Sequence, residues 1–181
     1  AGFKTGCYTS PHILVFNERI RIDASNVCDD PLIAAFEAID EARNNETLSY
    51  FEFATLAGLY LMRENKVDVA LLEVGLGGRL DAVNIVDADV AVISSIGIDH
   101  TEWLGNDIES IAAEKAGIMR PNRPTVFGGK HPPNAIIHRA KELDSPLLVS
   151  GHDFHADQNA TNASWRWRGH DREAVPVNWP D

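Results

Sequence analysis

One stretch limits what this chain can fold into. An apolar run from Val69 to Leu72 ends at an acid, Glu73, and Gly75, Gly77 and Gly78 follow, with Arg79 and Asp81 close behind. A strand that stops at a carboxylate and opens into a glycine loop is how an open α/β sheet builds a ligand crevice at its carboxyl edge. The rest of the chain can be read by asking what else reaches that edge.

The flanking sequence alternates strand and helix patterns. Residues 3–8 read as a short strand, and residues 18–23 alternate polar and apolar as a half-exposed strand does. Asp30 is the expected N-cap of a helix with Pro31 in its first turn, running to about Asn44 and burying Leu32, Ile33, Phe36 and Ile39. Ser49, Tyr50, Phe51 and Glu52 open a second helix, to about Asn65, with Leu56, Leu59, Tyr60 and Met62 as its apolar surface. Residues 67–72 and 89–96 are nearly continuous apolar runs, which predicts parallel strands covered on both faces. Residues 106–109 resemble a capping box for a helix ending at Lys115 and Gly117. Strands at 125–127 and 146–149 and a helix over 133–143 complete the pattern. The expectation is an α/β fold over residues 1–150, a mostly parallel sheet with flanking helices. Residues 151–181 read as a small β-rich, hairpin-like extension of the same domain, with Trp165, Arg166 and Trp167 at its edge.

Composition narrows the function classes. A formal net charge of -11 argues against a nucleic-acid-binding surface, which needs a basic face. Cys7 and Cys28 form no C-x-x-C pair and read as reduced thiols of a cytoplasmic protein. No apolar run reaches membrane-span length, and no signal-peptide layout opens the chain. Both ends are abrupt, which suggests a fragment.

The candidate chemistry lies at strand ends. Ser10, Glu73 and His100 each follow a predicted strand, and in a parallel sheet such ends share one edge. A hydroxyl, a carboxylate and an imidazole can hold a divalent cation with positions left for water or phosphate. Taken singly, a Ser before Pro is ordinarily a turn residue, and a lone Glu or His is ordinarily solvated. The glycine loop fails as a dinucleotide fingerprint, because the third glycine of G-x-G-x-x-G is missing. No G-K-[ST] occurs either: Gly128, Gly129 and Lys130 lead into His131 and two prolines. What remains is a loop whose backbone approaches a ligand, with Arg79 and Asp81 as polar contacts. Lys115, by its position alone, is a solvated lysine suiting a helix C-terminus. His152, Asp153, His155 and Asp157 form a peripheral cluster with weak metal character.

Five motifs in order carry a resemblance: Tyr8-Thr9-Ser10-Pro11-His12, Leu48 to Glu52, Leu72 to Ala82, Asp99-His100-Thr101 and Glu114 to Gly117. Their sequence and spacing resemble the bacterial dihydrofolate synthase/folylpolyglutamate synthase family of the Mur ligase superfamily, closely over residues 1–150 and loosely beyond. The resemblance implies a central ATPase-type domain and an ATP-dependent amide ligase. ATP would phosphorylate a carboxylate of dihydropteroate or a folate, and the amine of L-glutamate would attack the acyl phosphate. Charge on the transferring phosphoryl oxygens calls for magnesium and cations there. The resemblance makes Ser10, Glu73 and His100 the magnesium ligands, with His100 and Lys115 catalytic. Ser49, Tyr50, Phe51 and Glu52, with Leu80, Asp81 and Ala82, become the pterin contacts. Lys115 becomes a carbamylated lysine that turns a cation into a carboxylate-like ligand.

The family's phosphate-gripping G-K-[ST] loop and its C-terminal domain have no counterpart in these residues, so the 181-residue chain alone is expected not to ligate and to aggregate through an uncovered sheet edge. The intact enzyme is expected to be a cytoplasmic monomer. Two other readings stay open: a non-catalytic pterin- or metal-binding module of the same fold, and a nicotinamide-dependent oxidoreductase, against which the failed fingerprint counts.

Overall fold

The computed structural model describes residues 2–98, 105–158, 164–169 and 172–178. The chain is α/β and divides into two compact units, Ala1–Val86 and Asp87–Asp181.

In the first unit, β1 (Thr5–Tyr8) is central. It pairs antiparallel with β2 (Ile20–Ile22) and parallel with β4 (Val69–Leu72), while β3 (Ser25–Asn26) extends β2. The β1–β4 register runs from Thr5↔Val69 to Tyr8↔Leu72, so the two strands end level. Residues 16–19 form a 3-10 turn before β2, so the predicted strand over 18–23 starts two residues late. Helices α1 (Asp29–Ala42) and α2 (Tyr50–Glu64) supply the covering layer. Two details of α1 differ from the sequence reading. Its N-cap is Cys28 and not Asp30, so Asp29 and Asp30 both sit in the first turn, where acids suit the helix dipole. Ile33 is exposed, and Ala35 takes its place beside Leu32 and Ile39, which completes the i, i+3, i+7 stripe.

Helix α2 opens where expected, and the structure closes its start with a capping box. Ser49 Oγ accepts from the Glu52 N–H at 3.2 Å, and the Glu52 carboxylate accepts from the Ser49 N–H at 2.7 Å. Of the apolar surface the pattern suggested, Met62 is buried and Leu56 and Tyr60 pack partly buried against the core, while the innermost positions are also taken by Ala54, Thr55, Ala57, Gly58 and Leu61. This lets the helix lie close on β1. A Cβ on Gly6 would stand 2.7 Å from Met62 Cγ, so any side chain there would displace Met62. Tyr8, Ile20, Leu32, Ile39, Leu61 and Met62 anchor the core.

In the second unit a parallel sheet runs in the order β5 (Ala91–Ile93), β6 (Thr125–Phe127), β7 (Leu147–Val149). Helices α3 (Ile108–Ala116) and α4 (Asn134–Glu142) cover it through Ala112, Ala116, Ile136 and Ala140. The capping of α3 also differs in detail. Asp107 is the cap and pairs with Ser110, whereas Glu109 accepts from the Asn134 and Ala135 N–H groups at 3.0 and 2.7 Å. Glu109 thus caps the neighbouring helix, whose own N-cap, Pro133, offers no side-chain acceptor.

The two strands expected to be covered on both faces are not. β4 is an edge strand with Val69 48% and Leu71 62% exposed, and β5, an edge of the second sheet, sets exposed Val92 between buried Ala91 and Ile93. In β5 one face is buried and the other open, whereas in β4 only Leu72 is partly buried and Val69, Ala70 and Leu71 are all exposed. Residues beyond 150 form a three-stranded antiparallel sheet, β8 (Phe154–Gln158), β9 (Ser164–Gly169), β10 (Arg172–Asn178), and not a single hairpin. Trp165 and Trp167 lie on β9, its middle strand, and not on an edge.

Candidate functional site

The level ends of β1 and β4 place two of the expected ligands side by side. The Glu73 N–H donates to the Tyr8 carbonyl at 2.9 Å, which continues the ladder one residue past Leu72. The chain after Tyr8 turns through Thr9 and the cis Ser10–Pro11 bond. The turn is fastened at both ends: the Thr9 N–H donates to the Arg19 carbonyl at 2.9 Å, and the Ser10 N–H donates to Glu73 Oε2 at 2.7 Å. Glu73 therefore has one oxygen committed to the Ser10 backbone. Its other oxygen and the Ser10 hydroxyl are hard donors on an open edge, a set that fits a hard divalent cation and not a soft one. His100, the third expected ligand, lies outside the described residues. Lys115 sits half-buried in the last turn of α3, in the second unit.

The glycine loop is held by Asp81. One carboxylate oxygen accepts from the Gly75 and Leu76 N–H groups, each at 3.0 Å, and the other accepts from the Val83 N–H at 2.9 Å. The loop is drawn onto α2: a Cβ on Gly75 would stand 2.5 Å from Phe51 Cζ. Gly77 has φ +69°, a turn that a side chain disfavours. The glycines thus serve close approach and a tight turn.

Between the Ser10 turn, the start of α2 and the glycine loop lies an open cavity of about 400 Å³. Ser10, Pro11, Arg19, Tyr50, Phe51, Gly75, Leu76 and Asp81 line it. Of the seven residues expected to contact a pterin, Tyr50, Phe51 and Asp81 are in this lining. Ser49 and Glu52 cap the helix and each other. The Ser49 hydroxyl and N–H hold the Glu52 carboxyl below its usual range. Leu80 is 80% exposed and Ala82 begins a 3-10 turn, and neither is in the lining.

Arg19 is the lining residue that the sequence reading missed. It is 7% exposed, its Nε donates to His12 Nδ1 at 2.8 Å, and its guanidinium lies over the rings of Phe16 and Tyr50. In an alternating strand it would face solvent, as Arg21 does. The 3-10 turn rotates it inward, and no sequence signal marks that turn. Beneath the cavity, burial pushes the Tyr8 phenol up, against a hydrogen bond with Thr55. Among the described residues no group of three or more His, Cys, Asp or Glu is placed to hold a metal. Asp153 of the peripheral cluster instead closes a turn by accepting from the Val149 N–H at 2.7 Å.

A profile of the Mur ligase middle domain matches residues 31–172. The chain belongs to the Mur ligase middle-domain family. Within that family it is 48% identical over 167 residues to a dihydrofolate synthase/folylpolyglutamate synthase of Haemophilus influenzae, covering 92% of this chain and 38% of the relative. The Escherichia coli protein of the same description is 45% identical over 165 residues, covering 91% and 39%. Among solved structures, E. coli FolC in complex with DHPP and ADP superposes with a TM-score of 0.89 at 42% identity, over 98% of this chain and 43% of that one. The bifunctional Yersinia pestis synthase complexed with AMPPNP and Mn ion gives 0.87 at 43% identity, over 98% and 42%. The chain therefore spans about two fifths of the length of these Mur ligase relatives. No helix among the described residues is long and apolar enough to cross a membrane.

Proposed function

We propose that this chain is the central part of an ATP-dependent ligase that joins L-glutamate to dihydropteroate and to tetrahydrofolate polyglutamates. The observation that carries the reading is the Ser10–Glu73 pair, hydrogen-bonded at 2.7 Å on the carboxyl edge of β1 and β4, beside a cavity walled by Tyr50 and Phe51. Similarity to synthases of that description supports it. On this reading residues 1–150 belong to the ligase's central domain and residues 151–181 extend it.

Each residue has a task in the reaction. Tyr50 and Phe51 hold the flat ring of the pterin, and the ordered Gly75–Leu76 backbone closes over it. Asp81 keeps that backbone in place. Ser10 and Glu73, with His100, would hold a magnesium ion, and Lys115, when carbamylated, would add a carboxylate-like oxygen. The ion would supply charge neutralisation for phosphoryl transfer. The Ser10 turn, fixed by Glu73 and Arg19, sets where the substrate carboxylate must end to meet ATP. These 181 residues contain no G-K-[ST], so by themselves they bind the pterin substrate without turning it over.

The test uses the longest natural reading frame containing these residues. Phosphate release should require ATP, magnesium, dihydropteroate and L-glutamate together, and Glu73→Gln should lower it by about 100-fold or more. Release that continues without either acid substrate, or an unimpaired Glu73→Gln variant, refutes the assignment.

A further inference from the structure

The cavity holds one buried cation that forms no ion pair among the described residues. Arg19 is 93% buried, and none of the ion pairs among the described residues includes it. Its hydrogen-bond partners are neutral: Nε meets His12 Nδ1 at 2.8 Å, and Tyr8 offers a hydroxyl. A guanidinium carries five N–H donors, more than these two groups accept. The carboxylate in the same lining, Asp81, spends its hydrogen bonds on the loop amides of Gly75, Leu76 and Val83 and makes no ion pair with Arg19. A buried cation without a counter-ion is costly unless a ligand completes its shell. The rings of Tyr50 and Phe16, whose centroids lie 5.4 and 5.7 Å from the Arg19 guanidinium carbon, make this the aromatic side of the site.

We infer that Arg19 is the specificity-determining residue of the cavity, donating to an acceptor oxygen on the flat ring of the ligand. The inference rests on the pterin reading of the same site. A pteroate has two oxygen-bearing ends, the ring carbonyl and the benzoate carboxylate. The carboxylate is the reacting group and belongs beside Ser10 and Glu73. The ring carbonyl is then the acceptor left for Arg19. An analogue with an amino group in place of that oxygen would set donor against donor, and a site built to pair an oxygen rejects such an analogue strongly.

Two ligands and two variants test this. Dihydropteroate and its ring-amino analogue are titrated, by pterin fluorescence, into the longest natural reading frame containing these residues, as wild type, Arg19→Gln and Arg19→Lys. Wild type should prefer the oxo ligand by roughly tenfold to a hundredfold, the range of a hydrogen bond to a charged group. Arg19→Gln should lose that preference, and Arg19→Lys, which keeps charge but not the planar fork, should lose much of it. A residue that only braced the Ser10 turn would weaken both ligands together and leave the ratio unchanged. A wild-type protein that binds dihydropteroate without preference overturns the inference alone, as does Arg19→Lys with the full wild-type ratio, which decides even where Arg19→Gln does not fold. A wild-type protein that binds neither ligand overturns the pterin reading, and the inference with it.

Discussion

Asp81 holds the glycine loop before any ligand arrives, so Asp81→Asn should disorder that loop in the free protein. The carboxylate accepts three backbone N–H groups, two on one oxygen and one on the other. Asparagine has one acceptor oxygen. Whichever way the amide turns, an NH₂ faces either the Gly75 and Leu76 pair or the Val83 N–H. Hydrogen bonds to a charged group contribute about 1.5–3 kcal/mol each when buried and nearer 1 kcal/mol when partly solvated, as here. Losing one or two should cost about 1–2 kcal/mol locally. Native-state hydrogen exchange reads this directly, because protection of the Gly75 and Leu76 amides should fall by about fivefold to thirtyfold. The Ile93 and Phe127 amides, in the second unit, should be unaffected. Unchanged protection at Gly75 and Leu76 would refute the clamp and leave Asp81 a ligand contact only.

Gly75→Ala should destabilise the first unit by about 1–3 kcal/mol, because its Cβ meets the Phe51 ring at 2.5 Å. Urea unfolding should show the loss, and Phe51→Leu in the same chain should recover part of it. Glu52 has its carboxyl held below the ordinary 4.5 by Ser49, so its contribution to stability is complete above that pH and is lost as pH falls through the lower folded value. The unfolding midpoint should therefore drop more steeply below about pH 5 in wild type than in Glu52→Gln, and parallel curves would disprove the coupling. Leu71, 62% exposed on the edge strand β4, should drive self-association of the 181-residue polypeptide. Sedimentation velocity should find Leu71→Lys more monomeric, and indistinguishable profiles would count against the edge as the cause.

The sequence alone determined the alternation of elements, the start of α2, and the edge at which chemistry gathers. Those features are local: hydrophobic period, an acid in the first turn of a helix, and a carboxylate where an apolar run stops. It also specified that Ser10 and Glu73 are equivalent strand ends, from which their meeting follows once β1 and β4 pair in parallel. The motif order carried the family without any coordinates.

Tertiary structure decided the rest, because burial is a property of neighbours and not of residues. Arg19 and Arg21 share one alternating run, yet a single 3-10 turn buries the first and leaves the second in water. Glu109 looks like its own helix's capping residue and caps α4 instead, since Pro133 leaves those amides open. Val69 and Leu71 read as core and lie exposed, because an apolar strand is buried only where a second layer covers it. Glu73 was the acid at the end of an apolar run, and packing made it the fastening point of the Ser10 turn. A strand's end can be read from periodicity, but the group that meets it is set by the register of a strand more than sixty residues away.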